Sequence, residues 1–239
     1  MSTRERATSP NLLIAAMAAK DREQLLAACQ RIDLPLGEVL VEAGKPIRDV
    51  YFPTDSFISL ITSVGKATIE VGLVGREGMF GESLSLGVTH SPLTGVVQGS
   101  GAALRMSAAA FTRQRASNAS LERVVGRYLY VSLKQIAQAA TCTRYHVVEA
   151  RLARWLLMTQ DRARSPRFHV THKFLAWMLG VRRAGVTTAA LALQARNLIT
   201  YRRGDITVLN RAGLEAAACS CYEAQKITYD RVMNGASHA

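Results

Sequence analysis

Residues 170–194, VTHKFLAWMLGVRRAGVTTAALALQ, decide the fold of this chain. Thr171 can cap a short helix with an apolar inner side, and Gly180 permits the left-handed backbone of a tight turn. Apolar residues then recur at helical spacing, which predicts a second helix. The inner side of that second helix is formed by Val181, Val186, Ala189, Ala190 and Leu193.

The exposed start of the second helix is basic. Arg182 and Arg183 lie there beside Ala184, Thr187 and Thr188. A helix, a glycine turn and a basic helix start are typical of a helix-turn-helix, whose second helix enters the DNA major groove N-terminus first.

Residues 198–209 predict a β-hairpin directly after this motif. Two apolar runs flank Arg203-Gly204-Asp205, and Gly204 can take a positive φ in a tight turn. Arg202 and Arg203 at the tip can reach phosphates beside the groove, which adds affinity without reading sequence. The alternative is a structural three-helix subdomain with a hairpin.

The charge of the chain lies in the same part. The chain of 239 residues carries a net charge of +12, of which +11 falls after Ala116. Residues 162–211 hold ten basic residues and one acid, Asp205. Such a field is usually offset by a polyanion, which indicates nucleic acid; a solvated basic face is the alternative.

The N-terminal part has a different composition, because eleven of the seventeen glycines lie between Gly37 and Gly101. Short apolar segments separated by turn residues predict a β-roll or barrel. The segments are residues 39–41, 50–52, 57–62, 68–74, 93–97 and 102–106. Residues 11–30 before the roll are expected to be helical, with Asn11 as a cap.

A long helix is predicted from Leu121 to about Ala140, with Ser120 as its N-cap and Glu122 in its first turn. Its apolar residues fill more than one side. One side can pack on the roll and the other on a second copy of the chain; complete burial inside a monomer is the alternative. A further helix is expected over residues 147–160, with Trp155 in the core and Arg151 and Arg154 pointing outward.

The order of roll, long helix and winged helix-turn-helix resembles the Crp/Fnr family of bacterial transcription regulators over almost the whole chain. The supporting motifs are PLGEVL at 35–40 with Gly44, YFP at 51–53, GREGMFGE at 75–82, RLARWLL at 151–157 and RRGDI at 202–206. The resemblance implies an α+β fold in three parts. These are a jelly-roll-like double-stranded β-helix sensor at 11–116, a dimerisation helix and hinge at 117–145 and a winged helix-turn-helix at 146–239.

The resemblance also implies roles for single residues. Arg183 corresponds to a base-reading arginine, and a guanidinium there can bond guanine O6 and N7 together. Ala184 and Thr188 stand where the family has polar residues, and their methyl groups can instead contact thymine methyl groups. Thr187 is the fourth residue of the expected base-reading set. The phosphate-binding set is Thr171, His172, Lys173, Arg182, Arg202 and Arg203.

In the sensor, Gly81 and Glu82 match the family's cyclic-nucleotide motif, with Ser83 after them. Pro92 stands where the phosphate-binding arginine is expected. Losing a charge-assisted bond of this kind costs on the order of 1.5–3 kcal/mol, so we expect no tight cyclic-nucleotide binding. The alternative is an effector held weakly at this degenerate site, with backbone N–H groups and His90 meeting an anion.

The cysteines predict neither a disulfide framework nor a metal site. Cys29, Cys142, Cys219 and Cys221 are few and scattered, which fits a reducing compartment. Cys219-x-Cys221 with Cys142, or His169-x-x-His172, can bind metal or respond to oxidation, but neither has the spacing of known zinc sites. We therefore expect buried structural cysteines and His146 as a core or surface residue.

The resulting hypothesis is a DNA-binding regulator whose partners are double-stranded DNA, a second copy of the chain and RNA polymerase. The longest apolar run, residues 12–19, is too short for a membrane span, and a cytoplasmic location is expected; a secretory signal is the alternative interpretation of that run. A signalling module that acts through protein partners, with non-specific DNA affinity, is the rival function. An enzyme is not expected, since no catalytic constellation or nucleotide hydrolase loop is found.

Overall fold

The computed structural model describes residues 11–65 and 67–235, which form a mixed α and β chain. Its first helices are α1 (Leu12–Ala15) and α2 (Ala19–Ala27). The Asn11 side chain accepts the Ile14 N–H at 3.1 Å, so Asn11 caps α1 as predicted. Asn11 also donates to the carbonyls of Pro53 and Gly78, which fixes α1 against the sheet region.

The N-terminal part is a roll of two antiparallel sheets. Its strands are β1 (Gln30–Leu34), β2 (Val39–Val41), β3 (Asp49–Pro53), β4 (Phe57–Val64), β5 (Ala67–Val74), β6 (Thr94–Gly99) and β7 (Gly101–Ser107). One sheet has the order β1-β7-β3 and the other β2-β6-β4-β5. The six predicted segments are β2 to β7, whereas β1 was missed.

The long helix follows α3 (Ala108–Ser117), which Ser107 caps, and runs as α4 (Ala119–Tyr145). The prediction of Ser120 as its cap is wrong: Asn118 caps α4 by accepting the Leu121 N–H at 2.8 Å. Ser120 lies inside the first turn, where its hydroxyl accepts the Ala18 N–H at 2.9 Å. The helix therefore starts two residues earlier and continues five residues further than the sequence indicated.

One face of α4 packs on the N-terminal helices and the roll, and another remains exposed. Leu121, Val125 and Val131 are fully buried in a cluster with residues of α1 and β3. Tyr130 and Leu133 on the other face are 49% and 67% exposed. Complete burial of α4 within one chain is thus not observed among the described residues.

The C-terminal part begins with α5 (Val148–Ala163). It continues through β8 (Arg167–His169), α6 (His172–Leu179), α7 (Arg183–Ala195), β9 (Ile199–Arg202), β10 (Asp205–Val208), α8 (Arg211–Ala217) and α9 (Cys221–Met233). The three strands form a small sheet in the order β8-β10-β9. The last helix packs along α4, and Met233 joins the core cluster that contains Leu13 and Ile14.

Helix α5 joins the C-terminal part to the roll. Trp155 is buried as predicted, and its Nε1 donates to Glu70 Oε1 of β5 at 3.0 Å. The prediction that Arg151 points outward is wrong, because Arg151 is 6% exposed and donates to the carbonyl of Leu179. That bond satisfies a carbonyl at the end of α6, which is a reason for an arginine to be buried there. Arg154 is half-buried.

None of the helices that the structure describes combines the length and apolar character that a bilayer crossing requires.

Candidate nucleic-acid interface

Helix α6 begins and ends as the sequence predicted. The Thr171 hydroxyl accepts the Phe174 N–H at 3.2 Å, which caps its start. Gly180 at its end has a φ of +61°, where a side chain would be strained. A Cβ on Gly180 would also lie 2.9 Å from Ile69 Cδ1 of β5, so the end of the Ile69 side chain would have to move.

The turn aims the start of α7 outward. Arg182 holds the N-cap position and Arg183 is the first helical residue; both are exposed, as is Ala184. The inner side of α7 is buried as predicted, with Val186 and Leu193 at 0% exposure. The positive end of the α7 dipole therefore coincides with two exposed guanidinium groups, an arrangement that attracts anions.

The two threonines of α7 direct their hydroxyls into their own helix. Thr187 and Thr188 each donate to a carbonyl one turn earlier, of Arg183 and Ala184, both at 3.1 Å. Thr187 Oγ1 is also 3.0 Å from Nδ1 of His172. Thr188 is exposed with its donor occupied, which leaves its methyl group for apolar contact.

His172 connects α6, α7 and the hairpin. Its ring lies edge-on to Tyr201 with centroids 4.5 Å apart, and the Tyr201 hydroxyl donates to the Val170 carbonyl at 2.6 Å. Burial, and then the nearby charge of Arg183, lower the pKa of His172. A neutral imidazole at pH 7 offers a phosphate a hydrogen bond rather than a charge.

The hairpin is the predicted wing. Arg203 and Gly204 have φ values of +53° and +92°, as a two-residue turn with two positive φ values requires. The backbones of Arg202 and Asp205 are strand partners across the hairpin. The Oδ1 atom of Asp205 lies 2.8 Å from His169 Nδ1. Arg202 and Arg203 are exposed.

A groove of about 420 Å³ runs between α7 and the wing. The predicted residues that line it are Thr171, His172, Arg183, Thr187 and Arg203. Other predicted residues lie outside that lining, namely Lys173, Arg182, Ala184, Thr188 and Arg202. The Lys173 Nζ lies 5.0 Å from the ring centroid of Trp177, which is 49% exposed. The sequence analysis did not select Trp177, although an aromatic ring four residues after a lysine on a short helix was a usable signal.

The predicted effector residues form a tight turn in the roll. Gly81 is buried with a φ of +96°, and a Cβ there would lie 3.0 Å from Val50 Cγ1. Glu82 opens a 3-10 helix (Glu82–Leu86), and burial raises the pKa of its carboxyl group. Phe80 fills the space over Gly95 between the strands. Phe80 is buried and lines, together with Tyr51, a cavity of about 490 Å³ in the roll. Pro92 stands where the cation of a cyclic-nucleotide site is expected.

The candidate metal ligands divide into two cases. His169 and His172 bond Asp205 and Thr187 and do not face a common point. By contrast, Cys142, His146, Cys219 and Cys221 place one ligand atom each within 4.8 Å of one another. The sequence analysis treated His146 as an ordinary residue; its position four residues after Cys142 on one helix was the signal available.

Comparisons with known proteins agree with this architecture. A model of the Crp-like helix-turn-helix domain matches residues 150–217. No curated protein sequence matches the chain.

Several solved structures are similar over most of the chain. A putative Crp/Fnr regulator from Eubacterium rectale has a TM-score of 0.67 at 14% identity, covering 87% of this chain and 98% of that one. FixK2 from Bradyrhizobium japonicum has a TM-score of 0.67 at 13% identity, with 80% and 98% covered. The c-di-GMP responsive regulator CLP of Xanthomonas campestris has a TM-score of 0.64 at 18% identity, with 80% and 99% covered. These likenesses establish a shared fold.

Proposed function

We infer that this chain is a Crp/Fnr family transcription regulator, because residues 150–217 match the Crp-like helix-turn-helix domain and the chain has the fold of that family. It binds double-stranded DNA through α7 and the wing. The observation that carries this function is the exposed, doubly basic start of α7 beside a wing with two exposed arginines.

Base reading is assigned to the exposed residues of the first turns of α7. Arg183 can bond O6 and N7 of a guanine with two of its guanidinium N–H groups. Ala184 and Thr188 present methyl groups, which suit the C5 methyl of thymine. Thr187 is held by His172, so we assign it to positioning His172 and the helix start as well as to base contact.

Phosphate binding is assigned to the groups around the groove. Arg182 stands at the α7 start, Lys173 and Thr171 stand at the α6 start, and Arg202 and Arg203 stand at the wing. The neutral imidazole of His172 contributes a hydrogen bond to a phosphate. These contacts fix the register of the protein on the duplex and make its affinity depend on salt.

Dimerisation is assigned to the exposed stripe of α4. The stripe consists of Gly126, Tyr130, Leu133, Ala137 and Ala140, all of them exposed. The intervals alternate between four and three residues, which is the spacing of a two-helix coiled-coil seam. Packing two copies along this stripe gives a twofold axis, so the two α7 helices meet successive major grooves of a near-palindromic site about 34 Å apart.

The regulator acts by binding rather than by catalysis, in the cytoplasm with the chromosome, and contact with RNA polymerase is the proposed route from binding to transcription. Any effector must favour one arrangement of the dimer over another. An effector at the degenerate site of Gly81, Glu82 and Ser83 is proposed to bind without the family's phosphate-binding arginine, since Pro92 stands at that position.

Selection of bound sites from a random duplex library, with the full-length chain, tests the function. The expected result is an enriched near-palindrome whose half-site centres lie about 10 base pairs apart. Binding with steep salt dependence but no enriched sequence would overturn the proposal. That result would favour a signalling module that acts through protein partners.

A further inference from the structure

The base of the winged domain contains a convergent cluster of three thiols and one imidazole. Cys142 lies in the last turn of α4 and His146 is the C-cap of that helix. Cys219 lies between α8 and α9, and Cys221 is the first residue of α9. All four cysteines of the chain are free, and the three in this cluster are buried.

The distances in the cluster are those of ligands around one tetrahedral ion. Cys142 Sγ and Cys219 Sγ are 3.6 Å apart, and Cys221 Sγ and His146 Nδ1 are 3.4 Å apart. With Zn–S bonds of about 2.3 Å and Zn–N bonds of about 2.0 Å, the edges of a tetrahedron are about 3.8 Å between sulfurs and about 3.5 Å between sulfur and nitrogen. The largest separation, 4.8 Å, requires an inward shift of only about 1 Å to reach these edges.

The surroundings of the cluster carry the charge that such a site needs. A divalent ion with three thiolates and a neutral imidazole has a net charge of −1. Arg151 and Arg154 of α5 lie close enough to Cys142 to act on it electrostatically. Nε and Nη1 of Arg154 are buried without a hydrogen-bond partner among the described residues. Arg154 also acts electrostatically on the Glu70 carboxyl group, and a metal–thiolate centre would add a second opposite charge for its buried guanidinium group.

A further contact supports thiolate ligation. Gln138 Nε2 donates to Cys221 Sγ at 2.9 Å. Donors of this kind commonly orient metal-bound ligands and disperse their charge.

We propose that Cys142, His146, Cys219 and Cys221 bind a single zinc-class divalent ion that fastens the end of α4 to the start of α9. Three sulfurs and one imidazole select a borderline-soft metal with tetrahedral geometry and disfavour Mg²⁺ and Ca²⁺, which prefer oxygen. Convergence on one point indicates one ion, whereas the ligands of an iron–sulfur cluster are distributed over several irons. Binding releases the three thiol protons to solvent.

The position of the ion gives it a role at the domain joint. Its ligands come from just before α5 and just after α8, so the ion closes the segment that contains the winged helix-turn-helix. Cys142 and Cys219 are 77 residues apart in sequence. On the proposed function, which this role presupposes, the ion fixes how α7 is held relative to the dimer helix.

The experiment uses the full-length chain purified with a reductant and without chelator. We expect about one zinc per chain by elemental analysis, and Co²⁺ in place of zinc should give the visible bands of tetrahedral cobalt and the near-ultraviolet band of thiolate-to-cobalt charge transfer. The variants His146→Ala and Cys219→Ser should lower the metal affinity at least tenfold. Cys29→Ser, which changes a thiol outside the cluster, should leave it unchanged.

Folding of each variant is checked by circular dichroism, and DNA affinity is measured separately. His146 is half-exposed, so its variant keeps the proposal testable if Cys219→Ser fails to fold. A folded wild-type chain that takes up neither zinc nor cobalt, or one isolated anaerobically with a Cys142–Cys219 disulfide, would overturn the proposal. If the chain binds Co²⁺ in tetrahedral geometry but does not bind DNA, the metal site is supported and only the proposed function is contradicted.

Discussion

At the scale of single residues, the proposed interface assigns base reading and phosphate binding to different side chains. We expect Arg183→Ala to weaken binding to a selected site by about 1–3 kcal/mol more than binding to a random duplex, since only the selected site contains the guanine that it bonds. Fluorescence anisotropy with both duplexes at one salt concentration measures the two losses.

Arg203→Ala is the matched control, because Arg203 is also exposed but lies on the wing. It should weaken binding to both duplexes about equally, since phosphates are present in every sequence. Equal losses for Arg183→Ala on the two duplexes would remove its base-reading role.

Local roles were predictable from the sequence. The caps that Asn11 and Thr171 form, and the positive φ of Gly180, involve only one turn of backbone, so they are visible in the neighbouring residues. Asn118 and Ser120 are both good caps, and the choice between them depends on the Ala18 N–H, which is distant in sequence. The burial of Arg151 likewise depends on a carbonyl 28 residues away.

At the scale of elements, the junction of β5 and α5 should be sensitive to pH. Burial raises the pKa of Glu70 to about 7, against 4.5 for an ordinary carboxyl group. Between these two values the folded protein holds a proton that the unfolded chain has lost, so the free energy of unfolding falls as pH rises from about 5 to 7.

The variant Glu70→Gln should remove this dependence. The glutamine carbonyl can still accept the Trp155 N–H, and the amide does not ionise. Urea unfolding at several pH values should show that the free energy of unfolding of the variant increases relative to that of the wild type as pH rises from about 5 to 8. Parallel stability curves for the two proteins would contradict a proton held at Glu70.

The exposed stripe of α4 gives a second prediction at this scale. Leu133→Glu should convert a dimer into a monomer with an intact fold, because it places a charge in the proposed seam. Leu86→Glu is the control, since Leu86 in the roll is equally exposed at 67%. Analytical ultracentrifugation measures the mass, and a dimer that tolerates Leu133→Glu would place the seam elsewhere.

Six of the seven strands of the roll could be predicted, and the missed strand, β1, has a physical reason. Strands β2 to β7 are apolar runs between turn residues, a signal that is local. Strand β1 has the sequence QRIDL, and its exposed residues are polar. It lies at one edge of its sheet, where it pairs with β7. Only that pairing, with a strand some seventy residues later in the chain, identifies it.

At the scale of the whole molecule, the roll should not respond to cyclic nucleotides. Pro92 supplies no cation where a phosphate-binding arginine is expected, so calorimetry with cyclic AMP and cyclic GMP should show no binding at micromolar concentration. The melting temperature should also stay constant, since a ligand at 100 times its Kd adds about 2.7 kcal/mol of stability. A clear isotherm with either nucleotide would refute this expectation.

The candidate metal site could be predicted only in part from the sequence, which offered Cys142, Cys219 and Cys221 as possible ligands but not His146. Its two halves belong to different helices and meet only because α9 packs along α4. Neither Cys142-x-x-x-His146 nor Cys219-x-Cys221 has a known zinc spacing, so the convergence of the four ligands is visible only in the fold. Helix packing, rather than a local loop, creates the site.

The return of α9 to the N-terminal helices has a consequence for biosynthesis. Tyr229 donates to the Glu77 carbonyl, and Met233 fills the core beside Leu13. When the N-terminal roll has left the ribosome, α9 has not yet been synthesised, so part of the core beside the roll is still missing. The N-terminal part is therefore translated first but completes its core only after α9 is made. Until then its apolar surface is exposed, as in the folding intermediates that chaperones bind.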